Sequence, residues 1–202
     1  MNIILLLGYL LGYIYSMPME ELLGDPASLY GFNQFTGFFT FMGVIILAIG
    51  IGAVFLMLAV YASRQKGKGI CNSKEILALL TLSAISLFFI LDDLFLFHER
   101  IFTGLLQVGE RRIFLLYILV FSIVLIVFRK EILSGPTIFF LVAGLFFALS
   151  IAADVFSDKV ALSIAYAESV DLLEEGGKLG GYLFWTAFIF LRARACVLAE
   201  KQ

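Results

Sequence analysis

The chain has 202 residues, of which 62% are hydrophobic and 15% charged, with a formal net charge of −2 and a mean hydropathy of +1.04. That balance is far more apolar than a soluble domain of this length carries, and it excludes a water-soluble globular fold. No run of Lys or Arg interleaved with aromatics suggests a nucleic acid partner.

A membrane span requires about 20 mostly apolar residues if helical, whereas barrel strands read as short alternating segments. The apolar stretches of this chain are continuous, so the fold class is all-α: a polytopic transmembrane helical bundle of five or six spans, forming one domain over residues 1–202. The first stretch, residues 1–19, lacks charged side chains, but its strongly apolar part from Ile3 to Tyr15 is short for a span. Without a basic leader and a small-x-small cleavage site it reads as a retained helix in preference to a signal. Pro18 to Asn33 holds Glu20, Glu21, Asp25 and two prolines, and reads as a loop.

Five clearer spans follow at about Phe35 to Ala62, Ile76 to Phe97, Ile113 to Phe128, Ile132 to Ala153 and Leu179 to Leu191. The first contains the small-xxx-small pair Ala48/Gly52, which permits close helix approach and reads as packing. If that span runs outside to inside, nine of the 14 basic residues fall on the inner side: Arg64, Lys66, Lys68, Lys74, Arg129, Lys130, Arg192, Arg194 and Lys201. The bias puts the C-terminus in the cytoplasm. It also puts Cys71 and Cys196 on the inner side, where they read as free thiols. Of the 16 acids, 13 fall on the outer side, an imbalance that topology rules do not explain.

Three polar stretches meet on that outer side. In "FFILDDLFLFHERI", residues 88–101, Asp92 and Glu99 share a helix face, while Asp93 projects about 100° away and aligns with Arg100. At the end of the fourth clear span, Ser150, Asp154 and Asp158 form an i, i+4, i+8 stripe. In "ALSIAYAESVDLLEEGGKLGG", residues 161–181, Glu168, Asp171, Glu175 and Lys178 share one face if the segment is helical. Acids at helix ends are often no more than solvated termini, and Glu110, Asp158 and Glu174 read that way. Asp92 and Asp93 do not, because Phe95, Leu96 and Phe97 continue the apolar pattern beyond them, and a charge inside a span faces a cavity or a partner. His98 reads equally as a helix cap or as a site residue.

Crowded carboxylates must take up protons, a basic partner or a cation. Hard oxygen donors favour a divalent ion, Mg²⁺, Ca²⁺ or Mn²⁺. One histidine and two inward cysteines cannot make a typical zinc set, which argues against the three-histidine zinc hydrolases of membranes. "EEGGKLGG" lacks the spacing and the Ser/Thr of a phosphate-binding P-loop. Its glycines read as a bend or a close contact, with Tyr182 and Trp185 near the interface.

The run "LDDLFLFHE", then "SIAADVFSD", then "LLEEGGKLGGYLFW" resembles a group of uncharacterised bacterial integral membrane proteins. It is more distantly similar to a superfamily of membrane enzymes that includes phosphatidylserine synthases and VanZ-like proteins. The resemblance spans about Ile76 to Trp185; the sequence blocks distinctive of phosphatidylserine synthases are absent. It implies a bacterial inner-membrane location and a site at one end of a small bundle, acting on lipid or polyprenyl head groups. His98, Glu99 and Asp92 would be its residues, with Asp154 and Glu175 beside them. In that reading Asp92, Glu99 and an acid from Asp154 or Glu175 hold the ion, His98 is the general base, and Arg100 or Lys178 contacts a phosphate. Membrane lipids are the expected partners, and nothing in the sequence sets an oligomeric state. The competing readings are a proton or cation transporter and a non-catalytic membrane scaffold.

Overall fold

The computed structural model describes residues 37–64, 72–95, 97, 101–157 and 164–198. The chain falls into two compact units, Met1–Phe38 and Phe39–Gln202, and all described residues except Gly37 and Phe38 belong to the second. The first stretch and its loop, residues 1–33, lie outside the described residues, as do Lys66, Lys68 and Cys71.

The described residues are helical, in the order α1 (Phe38–Arg64), α2 (Ser73–Phe95), α3 (Phe102–Leu106), α4 (Glu110–Val127), α5 (Arg129–Leu133), α6 (Thr137–Ser157) and α7 (Ile164–Leu198). Three of them are long and apolar enough to cross a membrane: Phe38–Ser63, Ser73–Phe95 and Thr137–Asp154; Arg112–Val127 is a shorter apolar helix.

Local chemistry sets the helix limits. At the start of α2, the Asn72 side chain accepts a hydrogen bond from the Lys74 amide at 3.3 Å, and Glu75 reaches back to accept one from the Asn72 amide at 3.2 Å. This reciprocal cap satisfies N–H groups that a helix end otherwise leaves bare, and it starts the helix at Ser73, three residues before the first apolar position. The expected span from Ile132 to Ala153 is broken. Ile132 and Leu133 end the short helix α5, Ser134-Gly135-Pro136 makes a turn, and α6 begins at Thr137, because a proline can open a helix but cannot continue one. The last span is likewise longer than its apolar part: α7 runs 35 residues without interruption, about 52 Å at 1.5 Å per residue.

Contacts give the helix directions. Trp185 of α7 meets Ser86 of α2, and Arg192 meets Glu75, so α2 and α7 are antiparallel. Gly177 lies on the Ser150 backbone of α6, making that pair antiparallel too. Gly43 of α1 faces Tyr182 and Gly50 faces Thr186 and Ile189, so α1 runs parallel to α7. Buried positions of α1 recur at Gly43, Leu47, Gly50 and Val54, the alternating 4-3-4 spacing of helices that cross at a shallow angle. The Ala48/Gly52 pair lies off that stripe: Ala48 is exposed, and nothing lies within 4 Å of a side chain added at Gly52.

Trp185 occupies the centre at 1% exposure. Its ring lies 5.7 to 6.3 Å from those of Phe89, Phe121, Phe140 and Phe188, and its indole N–H donates to the Ser86 hydroxyl at 2.8 Å. The Ser86 hydroxyl in turn donates to the Leu82 carbonyl at 3.0 Å. Trp185 therefore sits in the interior of the bundle and not at the interface expected for it, whereas Tyr182, also buried, bonds Asp93 near the end of α2. A polar handle on an aromatic ring marks the interface only when the handle has no partner inside.

The expectation of free thiols is overturned at Cys196, which is disulfide-bonded. The chain's other cysteine, Cys71, lies outside the described residues.

The "EEGGKLGG" glycines make a close contact, not a bend. A Cβ at Gly177 would sit 3.1 Å from the Phe146 carbonyl and the Ser150 amide, and Gly180 and Gly181 lie under the Phe146 and Phe147 rings. Gly176 has open space around it. Substitution of these neighbours by alanine is expected to act in opposite directions. Gly177→Ala meets backbone that cannot yield and lowers stability by about 1–2 kcal/mol, whereas Gly176→Ala gains up to about 1 kcal/mol of helix propensity. Thermal melts of the two variants in one detergent check the pair.

Candidate functional site

The last turn of α2 places two consecutive acids on faces about 100° apart, and each finds a phenol on a different helix. Tyr117 of α4 donates to Asp92 Oδ1 at 3.1 Å, and Tyr182 of α7 donates to Asp93 Oδ2 at 2.7 Å. Asp92 is 8% exposed. Aromatic packing holds the phenols: Phe88 meets the Tyr117 ring edge-on at 5.0 Å, while Phe89 and Phe147 flank Tyr182 at 6.1 and 5.6 Å. Two carboxylates leaving an apolar helix are thus bound to two other helices through charge-assisted hydrogen bonds.

One turn before Tyr182, Lys178 donates to Glu175 at 3.2 Å. The Lys178 charge also attracts Asp93, while Asp92 and Glu175 repel it. The structure therefore brings together Asp92, Asp93, Glu175, Lys178, Tyr117 and Tyr182 from three helices. The glycine contact that seats Gly177 on Ser150 carries α6 alongside, and its antiparallel register sets Asp154 across from the turn at Leu173 and Glu174. Asp154, Glu174 and Asp92 are each engaged in a further interaction within the bundle.

Other expected site residues, His98, Glu99, Arg100 and Asp158, lie outside the described residues, as do the side chains of Glu110, Glu168 and Asp171. Phe97 and Phe102, on either side of His98 to Arg100, meet with tilted rings at 5.5 Å, and Phe97 packs on Phe88 at 6.4 Å. Among the described residues no three His, Cys, Asp or Glu side chains gather to hold a metal ion.

Sequence reading missed Tyr117 and Tyr182 as site residues. The signal was available: a phenol inside an apolar helix must find an acceptor when buried, and consecutive aspartates in a span are the acceptors with the strongest pull.

Depth follows from helix length. Glu75, which pairs with Arg192 at 3.8 Å, and Asp93 are separated by 18 residues of one helix, about 27 Å along its axis. The hydrocarbon core of a bilayer is about 30 Å thick. The acidic cluster and the Glu75/Arg192 pair are thus spaced to meet opposite faces of one membrane, with Trp185 and Ser86 between them.

The fold and this charge placement define a helical protein with membrane-crossing segments and a polar site at one end of its bundle. The chain belongs to the family described as Domain of unknown function (DUF8692), which matches residues 1–191. No curated protein and no solved structure matches it.

Proposed function

We propose that this is an inner-membrane protein of five or six spans that binds the head group of a lipid or polyprenyl chain at its acidic end and carries out chemistry on it. The observation that carries the reading is the pairing of Asp92 and Asp93 with phenols from two other helices, one bilayer thickness from the opposite charged pair. That depth is where head groups lie. The carboxylates contribute proton-accepting oxygens, the phenols orient them, and Lys178 contributes a cation for a phosphate. His98 and Glu99 enter as general base and as a further ligand on the strength of sequence alone, together with the likeness to the phosphatidylserine synthase and VanZ-like enzymes. A divalent cation belongs to the same proposal, with Asp92 and Glu99 as ligands.

The seam between α2 and α7 speaks against the transporter reading. Below Ser86 it is filled by Leu82 and Leu79, both buried, until Glu75 at the far end. Such a layer interrupts a proton or cation relay along these helices.

Turnover of a panel of labelled phospholipids and polyprenyl phosphates by the purified protein tests the function. Wild type is expected to release or transfer a head group, with Asp93→Asn and Lys178→Gln each reducing the rate at least about tenfold. Flux into proteoliposomes without lipid turnover would instead establish transport.

The bias of basic residues supports a cytoplasmic C-terminus, whereas the Cys196 disulfide favours an oxidising compartment at that end. Alkylation in intact cells decides the orientation: with the disulfide in place a membrane-permeant maleimide is expected to label Cys196 only after reduction, and labelling without reduction would support the cytoplasmic C-terminus.

A further inference from the structure

The end of the bundle away from the acidic cluster carries a second polar arrangement. Among the described residues it gathers Lys74 at the start of α2, Arg129 and Lys130 on α5, and Arg192 and Arg194 near the end of α7, against Glu75 and Glu131. Four of the five cations are exposed. Arg192 is the exception, with its side chain only 12% exposed.

The Arg192 seat is a shaped one. Its guanidinium lies 3.8 Å from Glu75, beyond hydrogen-bond length. Glu75 is already engaged in capping α2 through the Asn72 amide. On the other side Arg192 lies against Gly135, where an added Cβ would collide with its Cδ, Nε and Nη1 atoms. The turn between α5 and α6 is therefore cut back to admit the arginine stem, and the guanidinium keeps N–H groups that no described acceptor satisfies within bonding distance. A planar fork of donors held this way matches the oxygens of a phosphate.

We propose that this end holds the head group of an anionic phospholipid, with Arg192 as the anchor and Lys74, Arg129, Lys130 and Arg194 as the cationic rim. The slot lies at the level of lipid phosphates, because the Glu75/Arg192 pair stands about 27 Å along α2 from Asp93, close to the thickness of a hydrocarbon core. The excess of cations selects a lipid of net negative charge over a zwitterion, and basic seats between membrane helices bind such head groups.

Native mass spectrometry of protein extracted from phosphatidylcholine nanodiscs, with and without phosphatidylglycerol, tests the site. Phosphatidylglycerol is expected to stay bound in preference to phosphatidylcholine. Each of Lys74→Gln, Arg129→Gln and Lys130→Gln weakens retention, up to about fivefold, and Arg192→Gln abolishes the preference. Glu75→Gln preserves the capping geometry, since glutamine serves in the same cap, and removes the competing negative charge, so it strengthens retention. This variant keeps the test decisive if Arg192→Gln does not fold. Equal retention of the two lipids, or retention unchanged or weakened by Glu75→Gln, overturns the proposal, and displacement by soluble inorganic phosphate reassigns the slot to a free anion.

Discussion

The antiparallel seam between α2 and α7 is the constraint on which the rest of the structure depends. Inside a bilayer, burying apolar surface between helices gains little over contact with lipid tails, so association rests on close packing and on hydrogen bonds between helices. The seam supplies the hydrogen bonds, and the glycine contact of α6 on α7 supplies the close packing beside it. On α2 the seam runs through Glu75, Leu79, Leu82, Ser86, Phe89 and Asp93, and on α7 through Lys178, Tyr182, Trp185, Ile189, Arg192 and Cys196, each stripe alternating steps of three and four residues. That 3.5-residue period keeps two helices in contact over their length. Polar contacts at the two ends and the middle fix the register: a slip of one turn would leave the Trp185 N–H, the Tyr182 hydroxyl and the Asp93 carboxylate without their partners in a medium that offers no water.

The remaining helices are arranged around this pair. Gly43 and Gly50 bring α1 onto α7, and Gly177, Gly180 and Gly181 bring α6 onto its other side. The short α5 packs against α2, while α4 is tied to the bundle by Phe121 on Trp185 and by the Tyr117 bond to Asp92. Outside these contacts the helices are clothed in Phe, Leu and Ile, among them Phe41, Ile45, Ile49 and Leu56 on α1 and Leu115, Ile118 and Leu119 on α4. A surface of this kind suits lipid tails and leaves the polar groups to the two ends.

The helical class was legible because uninterrupted apolar runs admit few other forms, and the meeting of the α2 acids with Glu175 and Lys178 was legible because helical spacing and alternating helix direction lead to it. The ends of the helices were not. The charged first half of α7 hides a continuous helix from any reading by hydropathy, since the apolar run begins only after the glycines that lie against α6. Ile132 and Leu133 extend an apolar run across a break that only Pro136 betrays. The choice among small residues was also hidden: Ala48/Gly52 and Gly43/Gly50 look alike in sequence, and only the position of Tyr182 and Thr186 decides between them. Trp185 misleads for a related reason, because a buried hydroxyl deep inside the bundle receives its N–H.

A double-mutant cycle on Asp93 and Tyr182 tests the seam and its polar end most directly. Thermal unfolding of Asp93→Asn, Tyr182→Phe and the combined variant, in one detergent at one pH, yields the coupling between the two side chains. The account predicts that the double variant is less destabilised than the sum of the singles, with a coupling of about 0.5–3 kcal/mol. Strict additivity would mean that α2 and α7 do not meet at these residues, and would contradict the structure at its organising contact.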